Sequence, residues 1–170
     1  MAARRPTAAS LVPGPLFRRL APVAHRLRHR WRIWRGTPLS GATMVARNFD
    51  GQLLLIRHSY GPPGWCFPGG GVARGESAEQ AAVRELEEET GCTAQGVASI
   101  GTLQETMSGS PHTAHVFTCV TQDVPRIDRR EVAEARFFPT HSLPEPLGTF
   151  TRARLDLWMR SEKGGGGSQV

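Results

Sequence analysis

The sequence has no apolar run near the roughly 20 residues that a bilayer-spanning helix needs, although hydrophobic residues make up 39% of its 170 positions. It also lacks paired cysteines. Cys66, Cys92 and Cys119 are far apart with no C-x-x-C motif, which argues against a zinc ribbon or a disulfide scaffold and fits a reducing compartment. Acid is absent from the first 40 residues. No internal repeat is visible. Pro6, Pro13, Pro15 and Pro22 interrupt any signal-peptide apolar region, so no secretory signal is expected. The expected location is cytoplasmic, with the alternative that an Arg-rich, acid-free start serves as a mitochondrial transit peptide.

What is present divides the chain by charge. Residues 1–40 carry nine arginines, whereas residues 41–170 hold twelve Lys plus Arg against fifteen Asp plus Glu. The overall +6 therefore belongs to an N-terminal arm, and the body is mildly acidic. In the arm, Leu16, Leu20, Val23, Leu27, Trp31 and Trp34 recur at steps of three or four among arginines. That periodicity predicts a basic amphipathic helix, broken near Pro22 and ended by Gly36 and Pro38. Its stripe is expected to pack on the domain or to make a homodimer. The other readings are contact with an anionic membrane surface or with a polyanion. Three segments follow: a basic arm over 1–39, a folded domain over 40–162, and a Gly/Ser tail over 163–170.

Beyond the arm the pattern turns to strands. Ala42–Asn48 and Gln52–His58 flank Asp50-Gly51, a hairpin signal. A stiff loop, Tyr60–Trp65, leads into Cys66-Phe67-Pro68 and three consecutive glycines, Gly69, Gly70 and Gly71. Ser77-x-x-Gln80 is a capping box, and Gly91 is the matching C-terminal stop, so a helix is predicted up to Thr90. Strands are expected over Gly96–Thr106 and Thr113–Thr121 around a polar loop at 108–112. A turn-rich linker over 124–130, a short strand Glu134–Phe138 and a final helix Thr149–Arg160 complete the reading.

The chemistry concentrates on the capped helix. Glu85, Glu88 and Glu89 stand at i, i+3 and i+4, one helical face. Three like charges on one face repel one another unless a cation neutralises them. Hard divalent ions such as Mg²⁺ take oxygen ligands of this kind and share them with substrate phosphates. Taken alone, a glutamate run is usually a solvated face; the residues before it change that balance.

Gly70, Glu76, Arg84, Glu85, Leu86, Glu88, Glu89 and Gly91 resemble the Nudix box, G-x5-E-x7-R-E-U-x-E-E-x-G-U, where U is a large apolar residue. Only Cys92 departs, standing where the family has Ile, Leu or Val; buried cysteine behaves as a small hydrophobe. The resemblance extends to the Pro68-Gly69 lead-in and plausibly covers residues 40–160. It implies an α/β/α sandwich around a mixed β-sheet, here with the extra N-terminal helix. It also implies hydrolysis of the pyrophosphate bond in a nucleoside diphosphate linked to another moiety, with Mg²⁺ or Mn²⁺. By that resemblance Glu85, Glu88 and Glu89 are metal ligands, Glu76 is an outer contributor, and Arg84 orients the glutamates. The alternative is a non-catalytic Nudix module that binds a nucleotide; such members usually lose box carboxylates, and this chain keeps all four.

The box does not fix a general base. Glu105, Glu131 and Glu134 are candidates, each with a surface-carboxylate alternative. Arg57 and His58 end a strand where they could reach a phosphate, and Gly69, Gly70 and Gly71 are expected to bring backbone close to substrate. His112 and His115 are expected to be solvated. Trp65 and Phe67 could stack on a base, yet alternation places at least one in the core. Pro111 gives weak support for an ADP-ribose type of substrate, with nucleotide sugars, (d)NTPs, dinucleoside polyphosphates and capped RNA left open.

Overall fold

In the computed structural model of the protein, residues 39–59, 61, 63–107, 109–127 and 131–165 are described. The N-terminal arm and its expected helix lie outside them. Seven strands and two helices follow in the order β1 (Leu39–Arg47), β2 (Leu53–His58), β3 (Trp65–Cys66), β4 (Gly69–Gly71), α1 (Ala78–Thr90), β5 (Gln95–Met107), β6 (Ser110–Val120), β7 (Val132–Phe138) and α2 (Thr151–Gly165). They form one sheet of order β3-β2-β1-β6-β5, with β4 added to β1 and β7 to β2. The β1–β6 pair is parallel and the others are antiparallel. The sheet is therefore mixed, as the resemblance implied.

β1 and β2 are hydrophobic on both sides, which suits strands covered on both faces. Ala42, Met44, Ala46 and Leu54 pack with Ala81, Ala82 and Leu86 of α1. The alternate residues Val45, Leu53 and Leu55 pack with Trp65, Phe67, Leu155 and Trp158, the last two on α2. One helix thus covers each face, giving the α/β/α sandwich. The Asp50-Gly51 signal marks a real hairpin, with Gly51 at φ 74° and Leu53 paired to Arg47.

Two expected boundaries shift. The anticipated loop at 108–112 shrinks, because β6 begins at Ser110 and pairs Thr106 with Pro111 and Glu105 with His112. The final helix continues to Gly165, three residues into the segment read as tail. The glycine run, expected as a loop, is a short strand. Gly41 pairs with Gly71, Ala42 with Gly70 and Thr43 with Gly69. That pairing lays the glycines beside the first strand, at the sheet edge where α1 carries its carboxylates.

Candidate functional site

Helix α1 owes its start to the capping box: the Gln80 amide donates to Ser77 Oγ and the Ser77 amide to Gln80 Oε1. It ends at Gly91, left-handed at φ 70°, whose amide donates to the Glu87 carbonyl. Burying Ala81, Ala82 and Leu86 on the sheet turns the flank bearing Glu85 and Glu89 toward β4. The Gly69 amide donates to Glu89 Oε2 at 2.9 Å. Glu85 lies over Gly70 so closely that a Cβ there would overlap its carboxylate. Glycine at position 70 is a condition for that approach.

Arg84 ties the box together. Its guanidinium donates to both oxygens of Glu76 (2.7 and 3.1 Å), to Glu85 (2.8 Å), to Glu88 (3.2 Å) and to the Gly71 carbonyl (3.2 Å). The hydrogen bond from Arg84, followed by that from the Ala73 amide, lowers the Glu76 pKa to about 2. Arg84 in turn is held above its ordinary value, chiefly by Glu76. Glu76 therefore clamps the loop before the helix and keeps Arg84 aimed at the glutamates.

Glu89 is the deepest of the set, only 9% exposed. Burial drives its pKa well above the ordinary carboxylate range; the Gly69 amide opposes this, while the charges of Glu85, Glu131 and Glu88 add to it. Glu85 is raised too, first by burial, against the pull of Arg84. Glu88 is the solvent-facing member, with its side chain 62% exposed. Glu131 thus joins Glu85 and Glu89 electrostatically. It enters from the residues before β7, where its carbonyl accepts from the Ser59 amide and hydroxyl.

Among the described residues, no three His, Cys, Asp or Glu side chains converge as a ready metal site. The residues nonetheless fit a hard cation. Every donor offered is a carboxylate oxygen, and the two deepest are penalised for carrying charge without one. Oxygen donors with excess negative charge are what Mg²⁺ or Mn²⁺ selects. Glu85, Glu88 and Glu89 are the residues that would hold it, with Glu76 fixing Arg84 behind them.

Other expected residues are placed differently. Glu105 is neither a surface group nor a member of the cluster. It is buried beside α2, 3.0 Å from Arg154 Nη2 and 3.4 Å from His112 Nδ1. His112, expected in solvent, is 7% exposed, because the tight β5–β6 hairpin draws it into the sheet. Arg57 is paired to Glu134, and it is its neighbour His58 that approaches the cluster, with Nε2 3.7 Å from Glu89 Oε1. Trp65 and Phe67 are both buried. Arg57, Trp65, Glu134 and Glu145 line a cleft of about 330 Å³, which none of the box carboxylates lines. Cys66 lies within the fields of Glu89 and Arg154, and burial pushes its thiol up to about 12, far from reactive thiolate. Apolar run and spacing gave no signal for the His58 approach; only the pairing of β2 with its neighbours shows it.

Comparison with known proteins decides the family. The model of the NUDIX domain matches residues 37–159, most of the chain. The protein belongs to the Nudix family. A MutT NUDIX hydrolase from Burkholderia pseudomallei superposes with a TM-score of 0.65 at 28% identity, covering 71% of this chain and 98% of that one. The NUDIX domain of Shewanella oneidensis NrtR, solved with ADP ribose, superposes at 0.66 with 19% identity, over 74% of this chain and 89% of that one, a likeness of fold alone. An RNA pyrophosphohydrolase of Sodalis glossinidius is 50% identical over 54 residues, 32% of this chain and 30% of that protein. A Bacillus subtilis protein, provisionally named an 8-oxo-dGTP diphosphatase, is 48% identical over 64 residues, 38% and 42% of the two chains. The Nudix chain thus aligns with less than half the length of these curated relatives.

Proposed function

We propose that this Nudix protein is a divalent-metal-dependent hydrolase that cleaves a pyrophosphate bond in a nucleotide carrying a further group. The observation that carries the reading is the pair Glu89 and Glu85. Glu89 is buried and Glu85 half-buried against glycine backbone, burial raises the pKa of both, and both lie in the field of Glu131. An ordinary solvated helix face has no reason to bury them.

When bound, Mg²⁺ or Mn²⁺ supplies charge neutralisation at phosphate and a more acidic water. The chain supplies the rest. Glu85, Glu88 and Glu89 hold oxygen ligands on one helical face, and Arg84 keeps Glu85 and Glu88 oriented by charge-assisted hydrogen bonds. The glycines of β4 bring backbone to the phosphates without side-chain obstruction. Glu131 is the residue we assign to take the proton from attacking water, since its charge is felt by both Glu85 and Glu89 while Glu105 is occupied elsewhere.

The names of the relatives make 8-oxo-dGTP and an RNA carrying a pyrophosphate bond the first substrates to test. The experiment is a hydrolysis panel over these two, ADP-ribose, nucleotide sugars, dinucleoside polyphosphates and capped RNA, with Mg²⁺ and with Mn²⁺. Metal-dependent cleavage of one class supports the proposal. Tight nucleotide binding without turnover of any class would replace it by the binding-module reading.

A further inference from the structure

The face of the sheet opposite the carboxylates carries a second charged cluster that the proposed reaction does not use. Arg154 on α2, Glu105 on β5 and His112 on β6 are all nearly buried, with side chains 12%, 6% and 8% exposed. Arg154 Nη2 donates to Glu105 Oε2 at 3.0 Å while its Nε donates to Thr43 Oγ1 at 3.1 Å. His112 Nδ1 stands 3.4 Å from the same Glu105 oxygen. Glu105 Oε1 is buried with no hydrogen-bond partner. Burying an arginine, a glutamate and an imidazole is expensive, and an apolar trio of similar volume usually serves stability as well or better. A role beyond stability is called for.

Both ends of this cluster rest on β1 where it pairs with β4. Thr43 pairs with Gly69, and a Cβ on Gly69 would meet the Ala42 carbonyl at 2.5 Å and Thr43 Oγ1 at 3.2 Å. Gly41 pairs with Gly71. A Cβ on Gly41 would meet His112 Nε2 at 2.8 Å and the Gly70 carbonyl at 3.2 Å. On the other side of the same three glycines, the Gly69 amide holds Glu89 and Gly70 seats Glu85. One strand without side chains is therefore gripped from two faces. From one side come the carboxylates, from the other the Arg154–Glu105–His112 cluster through Thr43 and Gly41.

We propose that Arg154, Glu105 and His112 are positioning residues that set the backbone of Gly69–Gly71, and through it the placement of Glu89 and Glu85. The inference deepens the hydrolase reading and rests on it for its kinetic part. Arg154 fixes Thr43 over Gly69. Glu105 holds Arg154 by a hydrogen bond and lies beside His112, whose Nδ1 is buried without a hydrogen-bond partner, and His112 fills the space that glycine leaves at position 41. The effect reaches the reaction only as geometry, and displacement of about 1 Å at a reacting centre costs about 100-fold in rate.

The test uses the full chain and two variants. Thr43→Val removes only the oxygen between Arg154 and Gly69. The double variant Arg154→Met/Glu105→Leu replaces the ion pair by apolar side chains and leaves no unpaired buried charge. Three readouts are taken: the Gly69 and Gly70 amide signals by NMR in metal-free protein, the Kd for Mn²⁺ alone by calorimetry, and kcat against KM. The proposal expects shifted glycine amides, weaker Mn²⁺ binding, and a fall in kcat of about 100-fold for the double variant at unchanged KM. A smaller fall is expected for Thr43→Val. Unmoved glycine amides with unchanged Mn²⁺ affinity in both variants would overturn it. The amide and Mn²⁺ readouts need no substrate, so they separate failure of this inference from failure of the hydrolase reading.

Discussion

Replacing Glu89 by Gln should make the metal-free protein more stable while removing its activity. Glu89 is 9% exposed, receives one hydrogen bond from the Gly69 amide at 2.9 Å, and lies in the field of Glu85, Glu131 and Glu88. Glutamine keeps the oxygen that accepts from Gly69 and the shape of the side chain, and it removes the charge. A buried polar group without adequate partners costs about 1–3 kcal/mol, so the gain expected is about 1–2 kcal/mol. For a protein of this size that is roughly 2–8 °C in Tm. The pH dependence follows from the direction of the shifts. A carboxyl whose pKa is raised on folding binds its proton more tightly in the folded state. Stability of the metal-free wild type therefore falls as pH rises from 4.5 through the raised values of Glu85 and Glu89. Glu76, Asp123, Glu134 and Glu145 are lowered, so their contributions are lost only below the ordinary carboxylate range. The assay is scanning calorimetry in EDTA at pH 7.5 and pH 5. The variant should melt above wild type at pH 7.5, with the gap narrowing at pH 5. Saturating Mg²⁺ should raise wild type by about 2.7 kcal/mol at 100 times its Kd and leave the variant nearly unmoved. A variant that melts below wild type in EDTA at pH 7.5 would refute the reasoning.

Other expectations are more direct. Gly70→Ala drives a methyl into the Glu85 carboxylate and should cost about 1–3 kcal/mol, read as a lower denaturant midpoint together with lost turnover. Arg84→Ala releases Glu76, Glu85 and Glu88 together; kcat should fall about 100-fold with far-UV circular dichroism unchanged. Glu131→Gln should lower kcat by about 100-fold or more at unchanged Mn²⁺ affinity, whereas an undiminished kcat would exclude Glu131 as the base. Ser77→Ala breaks the capping box at a cost of about 1 kcal/mol, visible as a lower Tm with kcat preserved.

Local rules made the capped helix and its carboxylates legible. Ser77, Gln80 and Gly91 act within one helix, and the box residues keep fixed spacing, so sequence distance and spatial distance agree there. The Asp50-Gly51 hairpin between β1 and β2 was legible for the same reason. Long-range partners were not. Thr43 meets Arg154 111 residues away, and nothing local marks either as one end of a contact. His112 falls in the expected loop at 108–112, and Glu105 near the end of an expected strand; with β5 running to Met107 and β6 starting at Ser110, the two residues pair and both side chains are buried. Arg57 and His58 are adjacent in sequence, and only the pairing of β2 with β7, which shifts register between them, determines which one approaches Glu89.

The central claim is that Glu85, Glu88 and Glu89 serve a metal-dependent cleavage of a pyrophosphate bond. Its most direct measurement is product release from the best substrate of the panel, with Mg²⁺ and with EDTA, by wild type, Glu88→Gln and Glu89→Gln. Wild type should cleave only with Mg²⁺, and both variants should lose turnover while each keeps its fold. Turnover retained by both variants, or undiminished in EDTA, would contradict it.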